Sequence, residues 1–146
     1  MDLPPEEAAP IRASLNAHGL DLISLAAPTT SPERLRRLAE ESQGYLYYVS
    51  FSGVTGANIT DASDVVAKAG ALRAMSKVPV LIGFGIKDAA SACAMAAIAD
   101  GIVVGSALVE RLATAGSAGE AAERAGTFHA PLRDAIAAPV ATDQIG

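Results

Sequence analysis

The chain has 146 residues, 51% of them hydrophobic and 18% charged, with a formal net charge of −5. That balance fits one globular domain or part of one, and it excludes a disordered segment and a basic surface for nucleic acid. No apolar run reaches the length of a membrane span, the start MDLPPEE is not that of a signal peptide, and a single cysteine cannot form an internal disulfide. A reducing, cytoplasmic setting is the natural reading. Trp is absent and aromatics are scarce, so the core is expected to be built from Ala, Val, Ile and Leu. Cys93, in an Ala-rich helical stretch, is expected to act as a small buried apolar group.

In chain order, Asp2-Leu3-Pro4-Pro5-Glu6-Glu7 reads as a helix start, with Asp2 as cap, prolines in the first turn and two acidic residues at the positive end of the dipole. The helix is expected to run to about Ala17, with His18 at its end and Gly19 as a left-handed cap. No second His or Cys lies near His18 in sequence, so it reads as a helix-end residue rather than a ligand or base. Leu20 to Ala27 fits a buried parallel strand. Ser31 to Glu41 is a signalled helix, with Ser31 as N-cap, Pro32 at the first position and Glu33 in the first turn. Arg34, Arg36 and Arg37 read as a solvated face offset by Glu33, Glu40 and Glu41.

Gly44 to Gly56, GYLYYVSFSGVTG, is the most informative stretch. Tyr45 to Val49 forms an aromatic and β-branched run bounded by turn residues, hence a strand. Gly53 and Gly56 bracket Val54-Thr55, which makes either a tight turn or a loop whose backbone can approach a ligand closely. Asp61 and Ser63 offer caps for a helix to about Ser76, with an apolar stripe at Val65, Val66, Ala69, Leu72 and Met75. Pro79 to Gly85 is a further strand ending in glycines. Phe84 within it is either core or the wall of an apolar pocket. Ile86-Lys87-Asp88 opens a helix to about Ala99. Ile102 to Val104 is a strand ending at Gly105-Ser106, and Ala107 to Ala113 is a short helix. Thr114 to Gly119 is a loop, and a last helix runs from about Glu120 to Ala137, with Pro131 kinking or restarting it. Residues 1–138 make one unit, and 139–146 are expected to be a flexible tail.

The alternation of helices with four strands predicts an α/β fold with a parallel sheet and right-handed crossovers, either open and doubly wound or closed as a barrel. The dinucleotide fingerprint is poorly matched: Gly83-Phe84-Gly85 is followed by Ala89, and no acidic residue stands at the ribose spacing. Glycines instead mark the ends of three successive strands: Gly53 with Gly56, Gly83 with Gly85, and Gly105 with Ser106. In eight-stranded barrels the phosphate site is frequently built from the loops after the last two strands and a short extra helix. The helix beginning at Ser106 would offer free N–H groups and a positive dipole end, so an acidic protein could bind a phosphate without Lys or Arg. Plain strand-end turns remain the alternative. The carboxylates at Asp61, Asp64 and Asp88 read as helix caps or surface charges.

DLPPEEA at Asp2 to Ala8, GYLYYVSFSGVTGA at Gly44 to Ala57, PVLIGFGI at Pro79 to Ile86 and DGIVVGSALV at Asp100 to Val109 together resemble the tryptophan synthase alpha subunit family, over nearly the whole chain. The resemblance implies a TIM (β/α)8 barrel, of which this would be a half barrel, strands five to eight. It implies a lyase of tryptophan biosynthesis that cleaves indole-3-glycerol phosphate to indole and glyceraldehyde 3-phosphate. Its implied partner is a beta subunit, in an alpha2beta2 assembly; pyridoxal phosphate would belong to that subunit, leaving no cofactor or metal in this chain. By the same resemblance, the backbone at Gly56, Gly85, Gly105 and Ser106 would hold the substrate phosphate. Thr55 would lie on the mobile loop, Phe84 would flank the indole ring, and Tyr45 and Tyr47 would face the pocket, with Tyr47 nearest the glycerol chain. The family often has a basic residue where Phe51 stands.

The family's chemistry needs a Glu to move protons and an Asp to stabilise charge at the indole nitrogen, both from the first half of the barrel. No catalytic acid or base is therefore assigned here. Thr55 and Tyr47 are accessory, and the isolated chain is expected to be inactive. A half barrel would carry two open sheet edges, near Leu20 and Ile102, and would expose Leu22, Ile82, Val103 or their neighbours to water. Such a body should self-dimerise, pair with the missing half or stay loosely folded. The alternatives are a non-catalytic phosphate-binding or assembly module, and another phosphate-binding barrel such as an isomerase or indole-glycerol-phosphate synthase.

Overall fold

The computed structural model of the chain describes residues 3–49, 59–83 and 85–137. Among these, four strands form one sheet: β1 (Ser24–Ala26), β2 (Leu46–Val49), β3 (Val80–Gly83) and β4 (Gly101–Ile102). Their spatial order is their chain order, and each pair of neighbours is parallel. The order never reverses. A doubly wound sheet reverses its order at a switch point, whereas a barrel adds each strand beside the last.

The helices are α1 (Ala9–Asn16), α2 (Pro32–Glu41), α3 (Ile59–Met75), α4 (Ala89–Ala96), α5 (Ser106–Leu112) and α6 (Ala118–Ala137). Successive strand residues point to opposite faces, and the two faces of this sheet differ. Ala26, Leu46, Tyr48, Val80 and Ile82 are buried and share one core with Leu35 and Leu38 of α2 and Val65, Ala69 and Leu72 of α3. A second cluster joins Ile86 and Ala92 to Phe128 and Leu132 of α6. On the opposite face Leu25 is 41% exposed, and Tyr47, Val49 and Leu81 are half-buried. Among the described residues, the helices therefore cover one side of the sheet and leave the other open. Ile82, expected to meet water, is on the covered side; Leu25 takes the exposed role. The two open edges fall where expected, at β1 and β4.

Several signals work as read. Ser31 Oγ accepts from the Arg34 N–H at 3.4 Å, with Pro32 following it. Gly19 has φ +69, with the Leu20 N–H bonded to the Leu15 carbonyl and the Gly19 N–H to that of Asn16, the double bond pattern of a Schellman end. His18 Nδ1 lies 2.8 Å from the Ser14 carbonyl, as suits a helix-end residue. Asp88 and Ser91 form a reciprocal capping box at α4.

Other boundaries differ. The first helix is split into a short 3-10 turn, Pro5–Glu7, and α1. Pro10 cannot donate to a bond from an earlier turn, so it stands in the first turn of a new helix instead of inside one long one. Asp61 and Ser63, expected ahead of the helix, lie within the span of α3, Ile59–Met75. The last helix begins at Ala118, with Ser117 Oγ accepting from the Glu120 N–H, and it runs through Pro131. Cys93 is exposed on α4, not buried: Ala92 takes the inward position, and the next residue turns outward. The core also uses an aromatic, since Tyr48 is the largest fully buried side chain.

Candidate functional site

All four strands run the same way, so their carboxyl ends lie together on one rim of the sheet. β2 leads into residues 50–58, so Gly53, Thr55 and Gly56, with Phe51, lie outside the described residues, as does Phe84. The 139–146 tail also falls outside them. What the structure does place on the rim is Gly85 after β3 and Gly105-Ser106 after β4.

Gly85 is exposed with φ +68, a left-handed conformation that side chains rarely adopt. Gly105 is the N-cap of α5 and has open space where a side chain would be. Its carbonyl accepts from the Leu108 and Val109 N–H groups at 3.0 and 3.1 Å. The N–H groups of Ser106 and Ala107, the first two of α5, have no intrahelical acceptor. Both Gly105 and Ser106 are exposed.

Tyr47 rises from the open face of β2 beside this rim. Its hydroxyl donates to the Gly83 carbonyl on the neighbouring strand at 3.3 Å. Burial first, and the neighbouring Tyr45 second, push the Tyr47 hydroxyl above the ordinary tyrosine range, so it is a neutral donor at physiological pH. Tyr45, two residues earlier, is half-buried and shares the same side by alternation. Gly83 makes this arrangement fit. A Cβ there would stand 2.6 Å from the Val103 carbonyl oxygen, 2.8 Å from the Tyr47 hydroxyl and 3.0 Å from Tyr47 Cε2. Sequence reading treats Gly83 as a strand-end residue. Its second duty, seating the Tyr47 ring, follows only from the register that sets Tyr47 opposite Leu81 and Val49 opposite Gly83.

The described carboxylates with tight partners serve the framework. Asp88 caps α4. Asp100 accepts from the Val80 N–H at 2.9 Å and pairs with Arg73 at 2.8 Å, tying β3, β4 and the last turn of α3 together. Glu41 pairs with Arg12 and Arg37, Glu6 with Arg34, and Glu120 with Arg124. The expected offset of the arginine face is thus met by Glu41 and Glu6. Among the described residues, no group of three His, Cys, Asp or Glu is placed to hold a metal ion, and no helix is long and apolar enough to cross a membrane. Cavities of about 250 and 490 Å³ lie beside the edge strand β1, against Leu3, Pro5, Leu25 and Leu38, not at the glycine rim.

A singly wound parallel sheet, helices on one face only and glycines at the carboxyl ends of its strands define half of a (β/α)8 barrel. The comparisons with known proteins carry this further. The family model described as tryptophan synthase alpha chain matches residues 1–137. Tryptophan synthase alpha chain of Xylella fastidiosa (strain 9a5c) is 58% identical over 136 residues, covering 93% of this chain and 51% of that protein. That of Xanthomonas euvesicatoria pv. vesicatoria is 58% identical over 137 residues, again 93% and 51%. Among solved structures, the alpha chain of Legionella pneumophila superposes with a TM-score of 0.75 at 36% identity, covering 93% of this chain and 50% of that one. Tryptophan synthase from M. tuberculosis, in an open form with BRD0059 bound, gives 0.74 at 34% identity, covering 92% and 48%. The chain belongs to the tryptophan synthase alpha chain family. It spans about half the length of the curated relatives it matches.

Proposed function

We propose that this chain is the phosphate-binding half of an alpha-type lyase that acts in the cytoplasm in tryptophan biosynthesis, cleaving indole-3-glycerol phosphate to indole and glyceraldehyde 3-phosphate. The observation that carries the reading is the family match over residues 1–137, joined to a rim of exposed residues at Gly85, Gly105 and Ser106. The substrate phosphate would accept from N–H groups of these three residues, with Gly56 completing the cradle. The N-terminal partial charge of α5 would favour the anion.

Tyr47, held by the Gly83 carbonyl, would stand beside the glycerol chain as a neutral hydroxyl. Tyr45 would share that wall, and Phe84 would flank the indole ring. Thr55 would close over the site from the loop after β2. None of these groups moves a proton in the reaction. Carbon–carbon cleavage would draw on a Glu and an Asp from the half of the barrel that precedes β1 in the relatives. The isolated chain would therefore bind phosphate without releasing indole. In the whole enzyme, indole would pass to a beta subunit that carries pyridoxal phosphate.

The test is a titration of the isotope-labelled chain with glycerol 3-phosphate, followed by amide resonances, beside an assay for indole. Shifts focused on Gly85, Gly105 and Ser106 with no indole formed would support the reading. Saturable shifts elsewhere, or none, would overturn the cradle. Indole release by the isolated chain would overturn the division of labour. A non-catalytic phosphate-binding or assembly module is the second reading. It is favoured by one observation: the described carboxylates with tight partners are committed to caps and ion pairs. It predicts that supplying the first half of a relative's barrel yields no activity.

A further inference from the structure

We propose that α6 is the anchor that spaces the two described segments of the rim, with Arg124 as the positioning residue that clamps α5 to it. The proposal deepens the phosphate reading above and rests on it. The starting point is how little holds α5 on its own. It runs only from Ser106 to Leu112, its N-cap Gly105 offers no side chain to the free N–H groups, and none of its residues is fully buried. Two of its neighbours differ: α2 buries Leu35, Leu38 and Ala39, and α4 buries Ala92 and starts on a reciprocal capping box. A helix as short as α5 is marginal by itself. The placing of Gly105 and Ser106 must therefore come from what α5 packs against.

What it packs against is α6. Ala107 and Leu108 lie half-buried on a cluster of Ile86, Ala92, Phe128 and Leu132. Further along, a cavity of about 310 Å³ is lined by Arg111 of α5 and by Glu120, Glu123, Arg124 and Thr127 of α6, so apolar packing does not close that end. The Arg124 guanidinium does. Its Nη1 donates to the Arg111 carbonyl at 3.1 Å and to Thr114 Oγ1 at 2.6 Å, and its Nη2 donates to Glu120 Oε1 at 2.6 Å. The Arg111 carbonyl belongs to the last turn of α5, where carbonyls lack an intrahelical donor and a cation suits the negative end of the helix. Glu120 Oε2 accepts from the Gly116 N–H at 2.8 Å, so the loop between the helices is tied into the same group. The Arg111 guanidinium carbon stands 5.3 Å from the centre of the Phe128 ring, within cation–π range. Phe128 is 5% exposed and shares its cluster with Ile86, the residue after Gly85. Each rim segment thus runs directly into the same cluster: Gly85 into Ile86, and Ser106 into Ala107. Arg124 fixes the far end of α5, and with it the angle at which the first N–H groups of α5 would meet the anion.

The test compares the parent chain with Arg124→Met, which keeps the aliphatic stem and removes the guanidinium, and with Arg124→Lys, whose point charge cannot span three acceptors. Glycerol 3-phosphate is titrated against the amide resonances of Gly85 and Ser106. Amide hydrogen exchange is followed at Val109 and Ala113 for α5 and at Ala92 and Ala97 for α4, each bonded to a helical carbonyl. In Arg124→Met the α5 amides should exchange about tenfold faster while those of α4 stay as in the parent. Phosphate should bind about tenfold more weakly, as when the binding-competent population falls to about a tenth. Arg124→Lys should recover part of both losses. A parent that binds beside an Arg124→Met that binds as tightly overturns the positioning role. So does an equal loss of protection in α4 and α5, which would make Arg124 a general structural residue. A parent without saturable shifts at Gly85 and Ser106 sinks the phosphate reading and the proposal with it, and that outcome is seen in the parent before any variant. If Arg124→Met fails to fold, Thr114→Val decides, since it removes one acceptor of the clamp from an exposed position. Exchange in α5 and phosphate binding that both match the parent in that variant would overturn the clamp.

Discussion

Gly83 shows how much can hang on the absence of one methyl group. A Cβ there would meet the Val103 carbonyl, main chain just after β4 whose N–H is bonded to the Ile82 carbonyl, and the ring of Tyr47. Gly83→Ala should cost about 1–3 kcal/mol, the usual range for forcing atoms into a packed site. It should also break the Tyr47–Gly83 hydrogen bond. Urea denaturation followed by circular dichroism measures the first effect, and an unchanged midpoint would refute the argument. Gly85→Ala tests a different cause. At φ +68 the side chain is strained against its own backbone, so a loss of about 1–2 kcal/mol is expected whatever the surrounding space. Cys93 is the converse case, a residue that composition alone places wrongly. Its thiol is exposed on α4, so a thiol reagent should label it in the native chain at nearly the rate seen in denaturant. Strong native protection would contradict the helix orientation.

At the level of elements, the local signals were legible where one residue type does one job. Ser31 before Pro32, Gly19 after α1 and Asp88 before α4 all act through bonds to backbone only a few residues away, and each is found in place. The face of each strand was not legible. In Tyr45-Leu46-Tyr47-Tyr48-Val49 every position is apolar or aromatic, so period-two alternation carries no contrast. Only pairing reveals that Leu46 and Tyr48 face the helices while Tyr47 faces the open side. Asp100 illustrates the same limit. It reads as a turn residue before a glycine, yet it joins three elements. The Val80 N–H chiefly, and then Arg73, hold its carboxyl below the ordinary aspartate range. A depressed carboxylate contributes stability above its unfolded pKa, and that contribution is lost as pH falls through the folded one. Asp100→Asn should therefore lower stability by about 1 kcal/mol at pH 7, a modest figure because the side chain is partly solvated. The gap between variant and parent should close below about pH 4. A gap that stays constant down to pH 3 would mean that shape, not charge, matters at this position.

For the whole molecule, the described sheet is packed by helices on one side, and the chain spans about half the length of the relatives it matches. The core between strands and helices is complete: Leu72 of α3 and Leu46 and Ile82 of the sheet are fully buried. The opposite side offers Leu25, Tyr47 and Leu81 to whatever covers it. The repeated α/β rhythm made the parallel sheet readable from sequence, while the half barrel came from the family resemblance. The residues of 50–58 that the family resemblance assigns to the site lie outside the described part, so the loop's share of the site rests on that resemblance. If the open side is built to be closed by the strands preceding β1 in the relatives, a separately produced first half from the Xylella protein should bind this chain. It would pair at the β1 and β4 edges. Mixing the two halves should then give a one-to-one complex and release indole from indole-3-glycerol phosphate. Leu25→Lys should weaken that association, since Leu25 is exposed on the open face. A one-to-one complex without indole release would show that the edges are complementary but that the rim and the supplied carboxylates are out of register. No complex at all, with both halves folded, would refute the argument.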